Sequence, residues 1–206
     1  GASWDPTLAK AFGTAIAKEV IAVGGNVALG PAVNICRTPL NGRTFEYLTE
    51  DPLLNSQLAV PMIKGIQSQG IAACIKHFAA NNQELGRAKI SASISERALR
   101  QIYLPVFEAA VREADVWSVM AAYNGINGTA CCENQNLLQH RLRDEWGFSG
   151  FVMSDWWAAR RASSGASCIR AGLNLEMPGK GGVYRTSRLK REFKQGQFTE
   201  QELDNC

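Results

Sequence analysis

Residues 134–155, NQNLLQHRLRDEWGFSGFVMSD, hold one full cycle of the pattern that decides the fold. Asn134 can cap a helix, because its side-chain oxygen accepts an N–H of the first turn that has no partner inside the helix. Leu137, Leu138, Leu142 and Trp146 then recur at helical spacing and give the helix one apolar face. Gly147 closes it, since glycine enters the left-handed region at little cost. Residues 151–153 form a short apolar run suited to a strand buried in a parallel sheet. The run ends in Ser154-Asp155, which is polar chemistry at the C-terminal end of a strand.

The same order recurs outward in both directions. Toward the N-terminus, Asp5 caps a helix over residues 4–23, with Pro6 at its first position and Leu8, Phe12, Ile16 and Val20 on its apolar stripe. Gly24-Gly25 stops it, and residues 26–29 read as a short strand. A long loop through Asn41-Gly42 leads to a helix over residues 55–69, which Pro61 is expected to kink or split. Residues 71–75 are an apolar strand, and a polar loop spans residues 81–89. Helical sequence over residues 95–113 is interrupted near Pro105, residues 117–122 are the next strand, and a turn-rich loop with Gly125 and Gly128 follows. Beyond Asp155, residues 161–170 read as helical and 173–175 as a strand. Thr199 and Glu202 form a capping-box pattern.

Strict alternation of strands and helices implies an α/β fold with a parallel sheet and helical crossovers, either a doubly wound sheet or a (β/α) barrel. Five strands are too few for a closed eight-stranded barrel, which takes roughly 250 residues. The chain also opens without Met and inside helical sequence, so it is expected to be a fragment.

Composition narrows the function. With 206 residues, 46% hydrophobic and 20% charged, the chain can bury one core, and residues 1–206 read as one partial domain. A net charge of +3 without a Lys/Arg run offers no surface for nucleic acid or an anionic membrane. No apolar stretch approaches the roughly 18–20 residues of a membrane span. Cys36, Cys74, Cys131, Cys132, Cys168 and Cys206 include no CxxC pair, and only His77 and His140 could join them, so no metal or cofactor is expected. Most of these cysteines read as buried thiols. The compartment stays open; Asn127-Gly128-Thr129 fits a glycosylation sequon, and a secreted or periplasmic location is favoured.

In barrels, chemistry sits at the C-terminal ends of the strands. Here the strand ends carry Lys76-His77, Tyr123-Asn124, Ser154-Asp155-Trp156-Trp157 and Glu176, and the loop after the first strand carries Arg43 and Glu46. Five such ends in register predict a shared pocket, and its contents suit a carbohydrate. Cations and His can donate to hydroxyls, a carboxylate can attack, and Trp156 or Trp157 offers a face for a sugar ring. A carboxylate can form a covalent intermediate at an acetal carbon, and Arg43, Lys76 and Arg87 would favour its ionised form. On composition alone Asp155, Glu176 and Glu84 remain equal candidates.

Consecutive stretches of the chain break that tie. They are Gly30-Pro-Ala-Val-Asn-Ile-Cys-Arg37, Gly42-Arg-Thr-Phe-Glu-Tyr47 with Glu50-Asp51-Pro52, and Lys76-His-Phe-Ala-Ala-Asn-Asn-Gln-Glu84. Ser95-Glu-Arg-Ala-Leu-Arg100, Ser118-Val-Met-Ala-Ala-Tyr-Asn124, Trp146-Gly-Phe-Ser-Gly-Phe-Val-Met-Ser-Asp-Trp156 and Ala171-Gly-Leu-Asn-Leu-Glu-Met-Pro-Gly179 follow in order. Together they resemble the N-terminal catalytic barrel of family 3 glycoside hydrolases of the β-glucosidase type.

The resemblance implies a partial (β/α)8 TIM-like barrel that lacks the first strands and the C-terminal α/β sandwich domain. It implies hydrolysis of terminal β-D-glucosyl residues with retention, and it makes Asp155 the nucleophile. Arg43, Lys76, His77, Arg87, Met120, Tyr123 and Trp156 become the sugar-binding residues, with Met120 equally readable as core. The substrate would be a β-glucoside or oligosaccharide, and the acid/base Glu would come from the missing C-terminal domain, so the isolated chain is expected to fold poorly and to turn over negligibly. β-Xylosidase or other exo-glycosidase specificity is a near alternative. The N-acetylglucosaminidase branch is disfavoured because no Asp-His dyad follows Lys76-His77-Phe78. An aldolase-like barrel with Lys76 as a Schiff-base lysine, or a non-catalytic sugar-binding barrel, would belong to other classes.

Overall fold

The computed structural model describes residues 1–179 and 181–206. α1 (Pro6–Ala22) begins where the Asp5 carboxylate accepts the N–H groups of Thr7 at 2.8 Å and Leu8 at 3.2 Å. β1 (Val27–Ala28) follows it. α2 (Pro52–Gln67) starts earlier than the expected residue 55 because Asp51 accepts the Leu54 N–H at 2.6 Å, with Pro52 at the first position. Pro61 does not split α2. Leu58, Val60, Met62, Ile63 and Ile66 are buried on both sides of it. At about 1.5–3 kcal/mol per buried side chain, that outweighs the roughly 3 kcal/mol cost of an interior proline. α1 and α2 meet backbone to backbone: a Cβ on Gly13 would stand 2.2 Å from the Met62 carbonyl oxygen, and one on Gly65 2.2 Å from that of Lys10.

β2 (Ala72–Phe78) runs past the expected residue 75, so Lys76 and His77 lie in the strand and not beyond it. Pairing with the next strand carries it on: Lys76 stays opposite Met120 and Phe78 opposite Ala121, with an irregularity between them. After β3 (Ser91–Ala92), Ser95 caps α3 (Glu96–Ala98). A π-helical turn (Leu99–Tyr103) and α4 (Pro105–Ala114) complete the interrupted helix expected there. β4 (Ser118–Ala121) is wholly buried.

β5 (Gly125–Ile126) and β6 (Thr129–Ala130) join β3 in a small sheet that sequence reading missed. Asn127 sits in its turn, where its side chain exchanges two 2.9 Å hydrogen bonds with the backbone of Ile94. A π-helical segment (Asn136–Glu145) is capped by Asn134, which accepts the Leu137 N–H at 3.1 Å. β7 (Phe151–Ser154) is the last named strand. α5 (Gly165–Ala171), α6 (Thr186–Lys194) and α7 (Glu200–Asp204) finish the chain.

Two further expected elements differ. Residues 161–170 are not one helix: α5 starts at Gly165, because Ser164 and Ser167 form a capping box that opens a new helix there. Residues 173–175 make only the bridge Met153–Leu175, because the Asn174 side chain takes the Val152 N–H at 2.6 Å and stands in for a ladder bond. α6 was not anticipated.

The main sheet is parallel in the order β1-β2-β4-β7. One face, with Ile75, Val119 and Val152, packs against Ile63, Leu104, Phe107, Leu138 and Leu142 in the main core. The other carries Cys74, Met120 and Met153 as a separate apolar cluster. Parallel strands covered by helices on one face and closed around a second, inward face make a partial α/β barrel. The six cysteines are free thiols, and Cys74, Cys131, Cys132 and Cys168 are buried. Among the described residues no helix is long and apolar enough to cross a membrane.

Candidate active site

Asp155 follows β7 directly, and its N–H donates to the Ala121 carbonyl at 3.0 Å, which ties it to the end of β4. Its carboxylate is 7% exposed as a residue and asymmetric in its bonding. Oδ1 accepts the Trp156 N–H at 2.7 Å. Oδ2 has no hydrogen-bond partner among the described residues. It lies 3.6 Å from His77 Nε2 and 4.0 Å from an Arg43 guanidinium nitrogen. The strand order explains the meeting: β2 and β7 flank β4, so residues near their C-terminal ends gather at one rim.

The cations around Asp155 are held by other carboxylates. Glu46 bonds the Arg43 guanidinium and also lies 3.6 Å from Lys76 Nζ. Glu84 holds Arg87 at 2.7 Å. Arg87 in turn stacks over the Tyr123 ring, its guanidinium carbon 4.1 Å from the centroid, a cation–π contact that fixes both. Met120 is buried with Cys74 and Met153 in the row that carries Lys76. Trp156 is 36% exposed beside the carboxylate. Trp157 is stacked under Arg160 at 3.7 Å.

The three cations favour the ionised carboxylate as expected, and burial outweighs them. Burial pushes the Asp155 carboxyl above its ordinary range, against the opposing pull of Arg43, Arg87 and Lys76. The cations moderate the rise and do not reverse it, because desolvation disfavours the charge more than they favour it. His77 is 1% exposed. Burial holds its imidazole down to about 2, helped by the charges of Arg43, Lys76 and Arg87, so the ring is neutral. Burial first, then the Asp155 charge and an approach of the phenol to the Asp155 carboxylate that falls short of hydrogen-bond geometry, raise the Tyr123 phenol.

Of the strand-end candidates, Arg43, Lys76, His77, Arg87 and Tyr123 converge on Asp155. Glu176 does not. Its carboxylate turns inward to accept the N–H groups of Val183 at 3.0 Å and Tyr184 at 2.8 Å. Those two bonds are the ones its carboxylate makes among the described residues, and the residue is 5% exposed. Glu84 bonds Arg87 through one oxygen, and its other oxygen, Oε1, is buried without a hydrogen-bond partner among the described residues. His140 sits exposed on a helix surface beside Asp144. Sequence reading named Glu46 but gave it no role, and it overlooked Asn34, whose side chain bonds His77. The only signal for Asn34 was its place inside the Gly30–Arg37 stretch. Among the described residues no group of three or more His, Cys, Asp and Glu side chains could hold a metal ion.

Residues 1–206 match the glycosyl hydrolase family 3 N terminal domain. The chain is 47% identical over 204 residues to thermostable beta-glucosidase B of Acetivibrio thermocellus, covering 99% of this chain and 26% of that protein. It is 48% identical over 202 residues to exo-alpha-(1->6)-L-arabinopyranosidase of Bifidobacterium breve, covering 98% and 26%. Beta-glucosidase 3B from Thermotoga neapolitana, solved in complex with glucose, superposes with a TM-score of 0.92 at 47% identity, over 98% of this chain and 29% of that one. The chain thus spans about a quarter of the length of the curated relatives it matches.

Proposed function

The chain belongs to the glycosyl hydrolase family 3 N-terminal domain family, and from that premise we propose that the complete protein hydrolyses terminal non-reducing β-D-glucosyl residues by a retaining double displacement with Asp155 as nucleophile. The observation that carries the reading is the open Oδ2 of Asp155, buried, without a hydrogen-bond donor, and facing His77 and Arg43. In the first step Oδ2 bonds to the anomeric carbon as the glycosidic C–O bond breaks and the leaving oxygen takes a proton. In the second, water attacks the same carbon, gives up a proton and frees the carboxylate. Positive charge builds on the sugar ring in both transition states, and a carboxylate shielded from water stabilises it more strongly than a solvated one.

Arg43, Lys76, His77, Arg87, Tyr123 and Trp156 line the approach to Oδ2 and would bind the sugar. Met120 supports the row beneath Lys76. A retaining enzyme needs a second carboxyl about 5–5.5 Å from the first. Near Asp155, Glu46 and Glu84 are both held in ion pairs. On membership of that family, we assign the acid/base carboxyl to a C-terminal domain of the complete protein. The relative named as an arabinopyranosidase, at 48% identity, supports a second reading in which the sugar is another pyranose. Lys76 is paired with Glu46, which gives no support to a Schiff-base role.

Labelling the complete protein with a 2-deoxy-2-fluoro glucoside, followed by peptide mapping, tests the assignment. The label should sit on Asp155, and Asp155→Asn should lose activity by a factor on the order of 10⁴ or more. Label on another carboxylate, or an active Asp155→Asn protein, would remove Asp155 from the role.

A further inference from the structure

Asn34 holds His77 from three directions. Its Nδ2 donates to the His77 carbonyl at 2.9 Å, its Oδ1 accepts the His77 backbone N–H at 3.0 Å, and the same Oδ1 lies 3.2 Å from His77 Nδ1. Asn34 is 3% exposed, so water does not compete for these bonds. The two backbone bonds settle which end of the amide is oxygen. An amide oxygen only accepts, so Nδ1 must carry the ring proton. A neutral imidazole protonated there presents Nε2 as a bare lone pair.

We propose that Asn34 is a positioning residue that locks His77 in the Nδ1–H tautomer, so that Nε2 serves as the acceptor for a substrate hydroxyl beside Asp155. The inference rests on the glycosidase reading above. Nε2 and Asp155 Oδ2 stand 3.6 Å apart, both acceptors, and Oδ2 has no donor of its own. A sugar hydroxyl that donates to Nε2 satisfies the ring and leaves the carboxylate free to attack. A proton on Nε2 would instead be donated to Oδ2 and occupy the attacking oxygen. The groups around the ring oppose that proton: Arg43 from the loop after β1, Lys76 on β2 and Arg87 from the loop after it are all cationic. Asp155 at the end of β7 favours it from 3.6 Å, Glu46 and Glu84 pair with the cations that oppose it, and Tyr47 approaches edge-on, its ring centre 6.3 Å away.

The test is made on the complete protein. Asn34→Asp keeps an acceptor against Nδ1–H but puts a carboxylate there, which favours the doubly protonated ring. The His77 ring, followed by its ¹⁵N shifts against pH, should take its second proton about one pH unit or more higher than in the wild type. A structural role alone would lower folded yield and leave that titration where it is. A His77 titration unmoved in Asn34→Asp overturns the proposal. Should Asn34→Asp not fold, the ¹⁵N spectrum of the wild-type histidines decides. A bare Nε2 on His77, assigned through its contact with the Asn34 amide, supports the role, and a protonated Nε2 overturns it. Asp155→Asn keeps the two readings apart. If that variant hydrolyses substrate, the function fails; if it is dead while the His77 titration in Asn34→Asp stays put, only the role of Asn34 fails.

Discussion

Replacing His77 by Gln should make the fold less sensitive to acid, although it removes a buried side chain that bonds well. The folded imidazole is held down to about 2, whereas an unfolded histidine takes a proton near 6.5. Between those values the unfolded chain binds a proton that the folded chain refuses. Stability is therefore complete above pH 6.5 and declines as pH falls below it. The loss grows by about 1.4 kcal/mol per pH unit, which makes about 3 kcal/mol at pH 4.5. His77→Gln lacks that term. It also lacks the Nδ1–Asn34 bond, at a pH-independent cost of about 1 kcal/mol. The variant should be the weaker protein at pH 7.5 and the stronger one at pH 4.5. Native-state hydrogen exchange on peptides covering β2 in the complete protein gives the local opening free energy at each pH. A wild-type-minus-variant difference that stays flat from pH 7.5 to 4.5 would show that His77 takes its proton in the fold, most simply by pairing with Asp155, and the neutral-ring argument would fail.

Three further outcomes follow from the geometry. Glu46→Gln weakens the hold on both Arg43 and Lys76, so kcat/KM of the complete protein should fall by about 10–100-fold, and steady-state kinetics at wild-type values would refute the linkage. Glu176→Gln breaks the charge-assisted bonds to Val183 and Tyr184; it should cost about 1–3 kcal/mol in chemical denaturation while kcat per folded molecule stays unchanged, and a large drop in kcat would return Glu176 to the pocket. Gly65→Ala places a methyl against the Lys10 carbonyl, and the forced separation of α1 and α2 should cost about 1–3 kcal/mol, with an unchanged melting temperature as the contrary result.

The site illustrates how barrel chemistry depends on order across a sheet. His77 and Asp155 are far apart in sequence, yet β2 and β7 bring them to one rim because both pair with β4. The carboxylates then divide the work. Glu46 and Glu84 hold cations in place, and Asp155 keeps open the oxygen that faces His77 and Arg43.

What the amino-acid order determined alone is what local forces determine. Asp5, Ser95, Asn134 and Thr199 cap helices because a short polar side chain reaches N–H groups two or three residues on. The runs at 72–75, 118–121 and 151–153 become parallel strands because apolar β-prone sequence between helices has nowhere else to be buried. The ordered motifs named the family, and with it Asp155, Arg43, Lys76, His77 and Arg87 as the residues to watch. Tertiary structure decided the rest, since those outcomes turn on contacts between residues distant in the chain. Asn34 reaches His77 across 43 positions. Glu176 was captured by the loop at Val183 and Tyr184 and withdrawn from the pocket. Pro61 was carried through α2 by the burial on either side of it. The charge state of Asp155 hung on how much water the fold excludes, a quantity no spacing of residues records.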